Sequence, residues 1–394
     1  MDFAGGHYYR INRILLTCLG LWPYYTQCTK YVYCIFLFLF LLSSTVFQLS
    51  SLVTKEYSID LLLNVLSIVG PSIYCALKYF ATFINRNKVK ELIEQIRYDW
   101  NSLKEEEELK IMHKRATNGR FYTIVMLLWL YSTLFLLILM LFSPSILNIV
   151  IPLNESRQSW QLPTAMEFFI DREKYANLLT LYLFLIAFIS TSIMIATETL
   201  MIMYVQHICS MFQITGYRIE RTLNKSHIKW LISSEKFNSK SIVKAVDNHR
   251  SAIKFVDFLK RTFSISHFFA IPLGVTSLSI NMYLFCECIM AKNIGGASMS
   301  FLYIATHFLY IFFCNYIGQK VIDYSDDIFK KICSTRWYEA PLKIQKCLVM
   351  ITYRSMKPST LTVCLGLYLP SLQGFATLVS SSLSYFMVIY SVRL

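Results

Sequence analysis

Two charged side chains, Lys78 and Glu198, stand inside runs of the chain that are otherwise uncharged and apolar. A charge in such surroundings is costly unless it is paired, so the chemistry open to them is a direct or water-bridged ion pair. Counted at about 1.5 Å per residue, with one run leading inward from Leu61 and the other from Tyr175, both residues fall in the inner leaflet of a bilayer. Each also has a solitary option: Lys78 can snorkel toward the headgroups, and Glu198 can face water. Catalytic constellations are missing. The sequence holds no glycine-rich phosphate loop, no paired-cysteine zinc spacing and no His-Glu-x-x-His. Asp326-Asp327 beside Lys330 and Lys331 reads as a salt-bridged helix face, the run Glu105 to Glu108 as a solvated helix face or connection, and Cys286 and Cys288, two apart, point in different directions on a helix. No metal or cofactor is expected. An intramembrane hydrolase would cluster acids or histidines at one depth, which this chain does not do, so it is not read as an enzyme.

The elements that position these residues follow from composition. Of 394 residues, 55% are hydrophobic and 16% charged, against roughly a quarter charged in ordinary soluble domains, so lipid is the expected solvent. A crossing needs about 20 residues free of unpaired charge, because every backbone polar group must be satisfied within the segment. Seven runs qualify: Tyr31 to Thr54, Leu61 to Leu77 with a continuation to Asn85, Phe121 to Phe142, Tyr175 to Thr197, Thr262 to Cys286, Asn293 to Gln319, and Pro358 to Val392. The fold class is therefore an all-α integral membrane protein with seven transmembrane helices. The last run is too long for one crossing and contains Gly366, Pro370 and Gly374; it should break into a lead-in piece and a crossing helix from about Leu372 to Leu394.

Orientation follows from where Lys and Arg collect. The N-terminal segment and the connections Arg86 to Arg120, Arg218 to Arg261 and Lys320 to Lys357 hold 31 of the 38 basic and 16 of the 24 acidic residues. That is about +15 on one side, against a net +14 for the whole chain. This side should be the cytosol, which puts the N-terminus inside and the C-terminus outside. Charge placement also accounts for the basic balance without nucleic acid. The sequon Asn154-Glu155-Ser156 falls in an external connection and is a candidate glycosylation site at Asn154; Asn224-Lys225-Ser226 falls inside and should stay bare. The 11 cysteines lie mostly in apolar runs or basic segments, so no disulfide framework is expected. The N-terminal 30 residues lack the apolar core of a cleaved signal peptide.

Several helices should run on past the bilayer. Val89, Leu92, Ile93 and Ile96, and again Ile242, Val246, Ile253, Val256 and Leu259, recur at helical spacing among charges and suggest a cytosolic bundle that buries both stripes. The resulting division is a cytosolic N-terminal segment at 1–30, spans one to six at 31–323, a cytosolic anchor region at 324–365 and a last helix at 366–394. In the outer halves of the spans, aromatic and small polar residues such as Ser72, Ile73, Thr133, Leu136, Met140, Tyr182, Ile186, Ser300, Tyr303 and His307 could line an apolar pocket for a small volatile ligand. By spacing alone, ordinary helix packing explains them better.

The C-terminal third resembles the insect odorant receptor family. Cys314-Asn315-Tyr316-Ile317-Gly318-Gln319 followed by Ser325 is similar to the family's pattern at the end of span six. Trp337-Tyr338 and Arg354-Ser355-Met356-Lys357-Pro358 resemble the stretch before the last span, and Leu383-Ser384-Tyr385-Phe386-Met387-Val388 the family's terminus. Upstream of about Asn315 the likeness is one of length, span spacing and inverted topology. The resemblance implies an odorant-gated, non-selective cation channel in the plasma membrane of sensory neurons. In it four copies of the last helix surround one pore, and the chain is usually mixed with a shared co-receptor subunit. By position, Val388 would form the hydrophobic constriction, Ser391 and Val392 would line the adjoining pore, and the odorant pocket would lie in spans two, three, four and six. Arg393 at the outer mouth is awkward for cation flow. A gustatory-type receptor is the architectural alternative, but Leu367-Tyr368 and Gln373-Gly374-Phe375 depart from the Thr-Tyr and Gln-Phe pairs expected of that relative. A transporter or membrane enzyme is the alternative of a different class.

Overall fold

The computed structural model describes residues 5–150, 166–171, 174–229, 235–363 and 366–393, with backbone alone at 141–150, 224–229 and 235–240. Asn154 lies outside the described residues. Among the described residues, seven helices are long and apolar enough to cross a membrane: α2 (Gln27–Thr54), α3 (Ile59–Ile84), α5 (Glu106–Val150), α6 (Ala176–Lys229), α7 (Glu235–Met290), α8 (Ile294–Ser334) and α10 (Leu372–Arg393). Three shorter α-helices, α1 (Arg10–Cys18), α4 (Arg86–Ser102) and α9 (Leu342–Ser355), and two short 3-10 helices at Gly6–Tyr9 and Trp337–Glu339 complete the described helical body. The charge-free runs thus mark the crossings well. What they understate is length: the 54 residues of α6 span about 80 Å, while the hydrocarbon core is about 30 Å thick.

Local chemistry sets the ends. The Ser58 side chain caps α3 by accepting from Leu61 N at 3.0 Å, and Asp60 follows in the first turn, where a negative charge complements the helix dipole. Asn293 caps α8 by accepting from Gly296 N at 3.0 Å. Along the spans the outward faces remain apolar and exposed, for example Val32, Ile35, Phe36 and Leu39 of α2 and Leu178, Leu181 and Phe184 of α6. These faces suit acyl chains.

The surplus helix length gathers at the basic end in the main hydrophobic core. Val89, Leu92, Ile93 and Ile96 of α4 are buried there with Ile242, Val256 and Leu259 of α7 and Leu348 and Ile351 of α9. The N-terminal segment folds onto the same core through Leu16, Leu21 and Trp22, and Trp100 Nε1 donates to Tyr9 Oη at 3.2 Å. Buried polar links join the helices. His207 Nε2 of α6 meets Asp99 Oδ2 of α4 at 2.9 Å. Burial, with the Arg354 guanidinium nearby, pulls His249, on the extension of α7 beyond the membrane-spanning run, down to about 4.

The acidic run is where the sequence reading needs correction. Glu108 is buried rather than solvated, and Arg218 of α6 holds its two oxygens at 2.6 and 2.8 Å; Glu105 pairs with Arg221 one turn on. Glu105 and Glu108 thus clamp the start of α5 to α6, while Glu106 and Glu107 form the solvated face and pair with Lys110 on their own helix. Asp326 and Asp327 do pair with Lys330 and Lys331, at 2.7 and 3.7 Å, and Cys286 and Cys288 near the end of α7 are free thiols.

Candidate functional site

A cavity of about 420 Å³ opens between α3, α5, α6, α7 and α8 and reaches down to Val363, Tyr368, Pro370 and Leu378 at the foot of α10. Lys78 and Glu198 both line it. Their side chains are only 6% and 8% exposed, and Lys78 Nζ sits 2.8 Å from Glu198 Oε1, so the direct pair is the option the fold takes. Tyr310 Oη donates to the same Oε1 at 2.7 Å, the Tyr74 and Tyr310 hydroxyls lie 2.5 Å apart, and the Lys78 ammonium stands over the Tyr74 ring at 5.5 Å. Three helices, α3, α6 and α8, are therefore tied at one depth by a network in which the two charges cancel. Pairing and hydrogen bonding together are what make such burial tolerable.

Above this floor the wall is apolar with few polar groups. On α7, Phe263, His267, Ala270, Gly274 and Ser277 form one cavity-facing stripe at helical spacing. A Cβ built on Gly274 would meet nothing within 4 Å, so this glycine contributes empty volume. Ser277 Oγ and His307 Nε2 are 3.1 Å apart, and His307 Nδ1 lies 2.9 Å from Tyr303 O.

Of the ten pocket residues expected from sequence, Thr133, Tyr303 and His307 line this cavity. Ser72 instead accepts from Gln48 Nε2 of α2 at 3.2 Å. Tyr182 shares a hydrogen bond with Ser43 at 2.8 Å and packs edge-on to Phe40 and Phe47. Ile73 and Leu136 present exposed faces, while Ile186 and Ser300 are buried outside the cavity lining. Met140 lines a separate cleft with Phe285, Cys288 and Phe301 between α5, α7 and α8. Sequence reasoning missed α7 as a wall. The signal was present: a lone histidine in an apolar run, in register with Gly274 and Ser277.

The residues of the C-terminal motifs prove to be a joint. Asn315 Oδ1 accepts from Tyr368 Oη at 2.5 Å and Ser371 N at 3.1 Å, Gln319 Oε1 from Leu372 N at 3.3 Å, and Ser325 Oγ from Ser359 N at 2.8 Å. Gly318 lies so close under Pro370 that a Cβ would come within 2.4 Å of the Pro370 carbonyl oxygen. Every one of these contacts runs from α8 to the segment that leads into α10. The cavity and the last helix thus share a wall and a set of hydrogen bonds.

Helix α10 rests on the body along one side only. Phe386, Ile389 and Tyr390 pack against Leu63, Ile280, Tyr283 and Leu284, and Ser279 Oγ donates to Ser382 O at 2.9 Å. Arg393 turns toward the body, pairing with Asp60 of α3 and donating from Nε to Tyr283 Oη at 3.1 Å. The opposite side stays open, with Val388 59% and Val392 76% exposed in the single chain. Thr377, Ser381, Ser384, Val388 and Ser391 follow one another there at helical spacing. The hydroxyls of Thr377, Ser381 and Ser384 donate to carbonyls one turn back, and that of Ser391 to Val388 O, at 2.9–3.1 Å.

Comparison with known proteins agrees with this architecture. Two solved structures are similar over 98% of this chain and 98% of their own, each at 15% identity. They are the olfactory receptor OR5 of the insect Machilis hrabei in complex with eugenol, with a TM-score of 0.77, and the same receptor described without that ligand, at 0.72. A search of curated proteins returned no match. The family model described as 7tm Odorant receptor matches residues 58–383. The seven spans, the joint at the foot of α10 and this match together make the chain a multi-pass membrane receptor rather than an enzyme, and it belongs to the seven-transmembrane odorant receptor family.

Proposed function

We propose that the chain is the odorant-binding subunit of a ligand-gated, non-selective cation channel, assembled as a tetramer with a shared co-receptor in the plasma membrane of sensory neurons. The observation that carries this reading is the open face of α10, where the small hydroxyls of Thr377, Ser381, Ser384 and Ser391 follow at helical spacing and the aliphatic Val388, with Val392 one turn on, stands exposed among them. Four such helices around an axis would present a wettable path broken by a ring of valines. A ring of that kind closes a pore by dewetting and opens when the helices part. Ser391 and Val392 would line the adjoining mouth, from which the ties to Asp60 and Tyr283 draw Arg393 away.

The charge distribution supports a cytosolic N-terminus and an external C-terminus, with the Asn154 sequon on the outer side. The small molecule binds in the cavity between α3, α5, α6, α7 and α8, lined by Thr133, Tyr303 and His307 among others. Eugenol bound to the similar Machilis receptor is the precedent for a volatile of this size. Binding favours conduction only insofar as the open arrangement holds the ligand better, and the Asn315–Gly318–Gln319 joint is the mechanical route by which wall movements reach α10. Patch recording of the chain co-expressed with a co-receptor, under an odorant panel, tests the proposal. Ligand-dependent current altered by Val388→Ala in block or permeation is expected; steady turnover without gated current would refute it.

A further inference from the structure

The cavity floor holds a hydrogen-bonding group that the ion-pair network leaves over. His267 lies on the cavity-facing stripe of α7, at the depth of Lys78 and Glu198. Its Nδ1 is 2.8 Å from the carbonyl oxygen of Phe263. A carbonyl can only accept, so Nδ1 carries the proton, and the neutral ring keeps Nε2 as a bare acceptor. Among the described residues no side chain or backbone group donates to it.

The neighbouring helix α8 shows what completes such a ring. His307 is anchored identically, Nδ1 to the carbonyl of Tyr303 at 2.9 Å, but there the Ser277 hydroxyl supplies the donor to Nε2 at 3.1 Å. Of the other polar groups of the wall, Lys78 pairs with Glu198, Tyr310 donates to Glu198, Thr133 to Trp129 O and Thr306 to Leu302 O; the hydroxyls of Tyr303, Ser190 and Thr191, which have a proton to donate, make no hydrogen bond among the described residues, whereas His267 Nε2 can only accept. His267 is anchored like His307 and lacks only the hydroxyl.

We propose that the ligand supplies it: His267 recognises a hydroxyl, and the cavity takes a neutral alcohol or phenol with its oxygen at the floor and its apolar body toward Thr133, Leu137 and Tyr303. The charges at the floor enforce neutrality. A cation would add to the Lys78 ammonium, and an anion would leave a negative charge without a counter-ion in a low-dielectric site. Ethers only accept, so they would set lone pair against lone pair at Nε2 and leave it unpartnered.

The inference rests on the reading of this cavity as the ligand site, and its test keeps the two apart. The probes are eugenol with its methyl ether, and C6 to C10 primary alcohols with their methyl ethers, applied to the receptor co-expressed with its co-receptor. Each hydroxyl compound should be about three- to tenfold more potent than its ether, the worth of one net hydrogen bond. His267→Phe should bring the alcohols down to the ethers and leave the ethers unchanged, while His267→Gln, which retains an acceptor, keeps part of the preference. Equal potency within pairs in the wild type, or a His267→Phe loss shared by both series, overturns the assignment. The melting temperature of the purified complex with the same pairs reads binding without gating. A hydroxyl-dependent shift that His267→Phe removes, without any current, would defeat the channel reading and uphold this one; neither shift nor current from any pair overturns it.

Discussion

Replacing Lys78 by Met removes one half of the buried pair and keeps the side-chain volume. At 2.8 Å, two unit charges in an effective dielectric of about 20 attract by about 6 kcal/mol before desolvation is counted. Once Lys78 is gone, Glu198 retains, among the described residues, the Tyr310 hydroxyl at 2.7 Å and a distant Cys314 thiol at 4.0 Å as hydrogen-bond donors. Stranding one member of a buried pair costs about 3–5 kcal/mol, whereas replacing both members with neutral groups of similar volume is often close to neutral. Glu198→Gln should therefore destabilise as Lys78→Met does, and the combination Lys78→Met with Glu198→Gln, which still offers Tyr310 an acceptor, should recover to within about 1 kcal/mol of the wild type. Thermal unfolding of the detergent-solubilised receptor, followed by fluorescence-detected size exclusion together with surface abundance in cells, reads all four proteins. Additive losses in the double variant would show that the two charges are stabilised independently, and the network described for the cavity floor would be wrong.

Three further perturbations probe other parts of the account. Gly318→Ala puts a methyl group against the Pro370 carbonyl, where the ideal separation is 2.4 Å; it should uncouple the foot of α10 and shift basal current at near-normal surface abundance, and an unchanged current would remove the joint from the mechanism. Gly274→Leu adds its side chain from a Cβ that meets nothing within 4 Å, so ligand responses should fall at least tenfold while the melting temperature holds, and an unaltered dose-response curve would place the ligand elsewhere. His249 is held near 4 in the folded protein, against about 6.5 when unfolded. The unfolded chain then binds more protons between these values, so stability is complete above about pH 6.5 and declines as pH falls toward 4. By pH 5 the loss is about 2 kcal/mol. Melting curves from pH 7.5 to 5 should show it, and His249→Phe should flatten the profile; an identical slope in the variant would assign the acid sensitivity to other groups.

Crossings were legible because the bilayer imposes a length and a charge rule that short windows of sequence can read. The amphipathic extensions were legible for a related reason: outside the lipid, water restores the contrast between faces, and Val89, Leu92, Ile93 and Ile96 stand out among charges. Within the lipid that contrast disappears, since outward and inward faces are both apolar. Choosing cavity residues by type alone then misses by one position. Tyr74 lines the cavity while Ile73 faces outward, and Leu137 lines it while Leu136 is exposed. Partners distant in sequence were equally hidden. Nothing local to Glu108 announces Arg218, and the motif around Gly318 carries no mark of the carbonyl of Pro370 that it accommodates. The Lys78–Glu198 pair was an exception, because shared depth plus opposite charge is a long-range constraint that residue counting can supply.

Cysteine accessibility along α10, in the complex with its co-receptor, tests the central claim that this helix lines the conducting path. Thr377, Ser384 and Ser391, changed one at a time to Cys and exposed to a membrane-impermeant charged thiol reagent during ligand application, should each block current, with Ser384 protected from the outside while Val388 holds the pore shut. Phe386 and Ile389, which pack on the body, should be insensitive as cysteines. Block that follows the packed face, or none on the open one, would contradict the account.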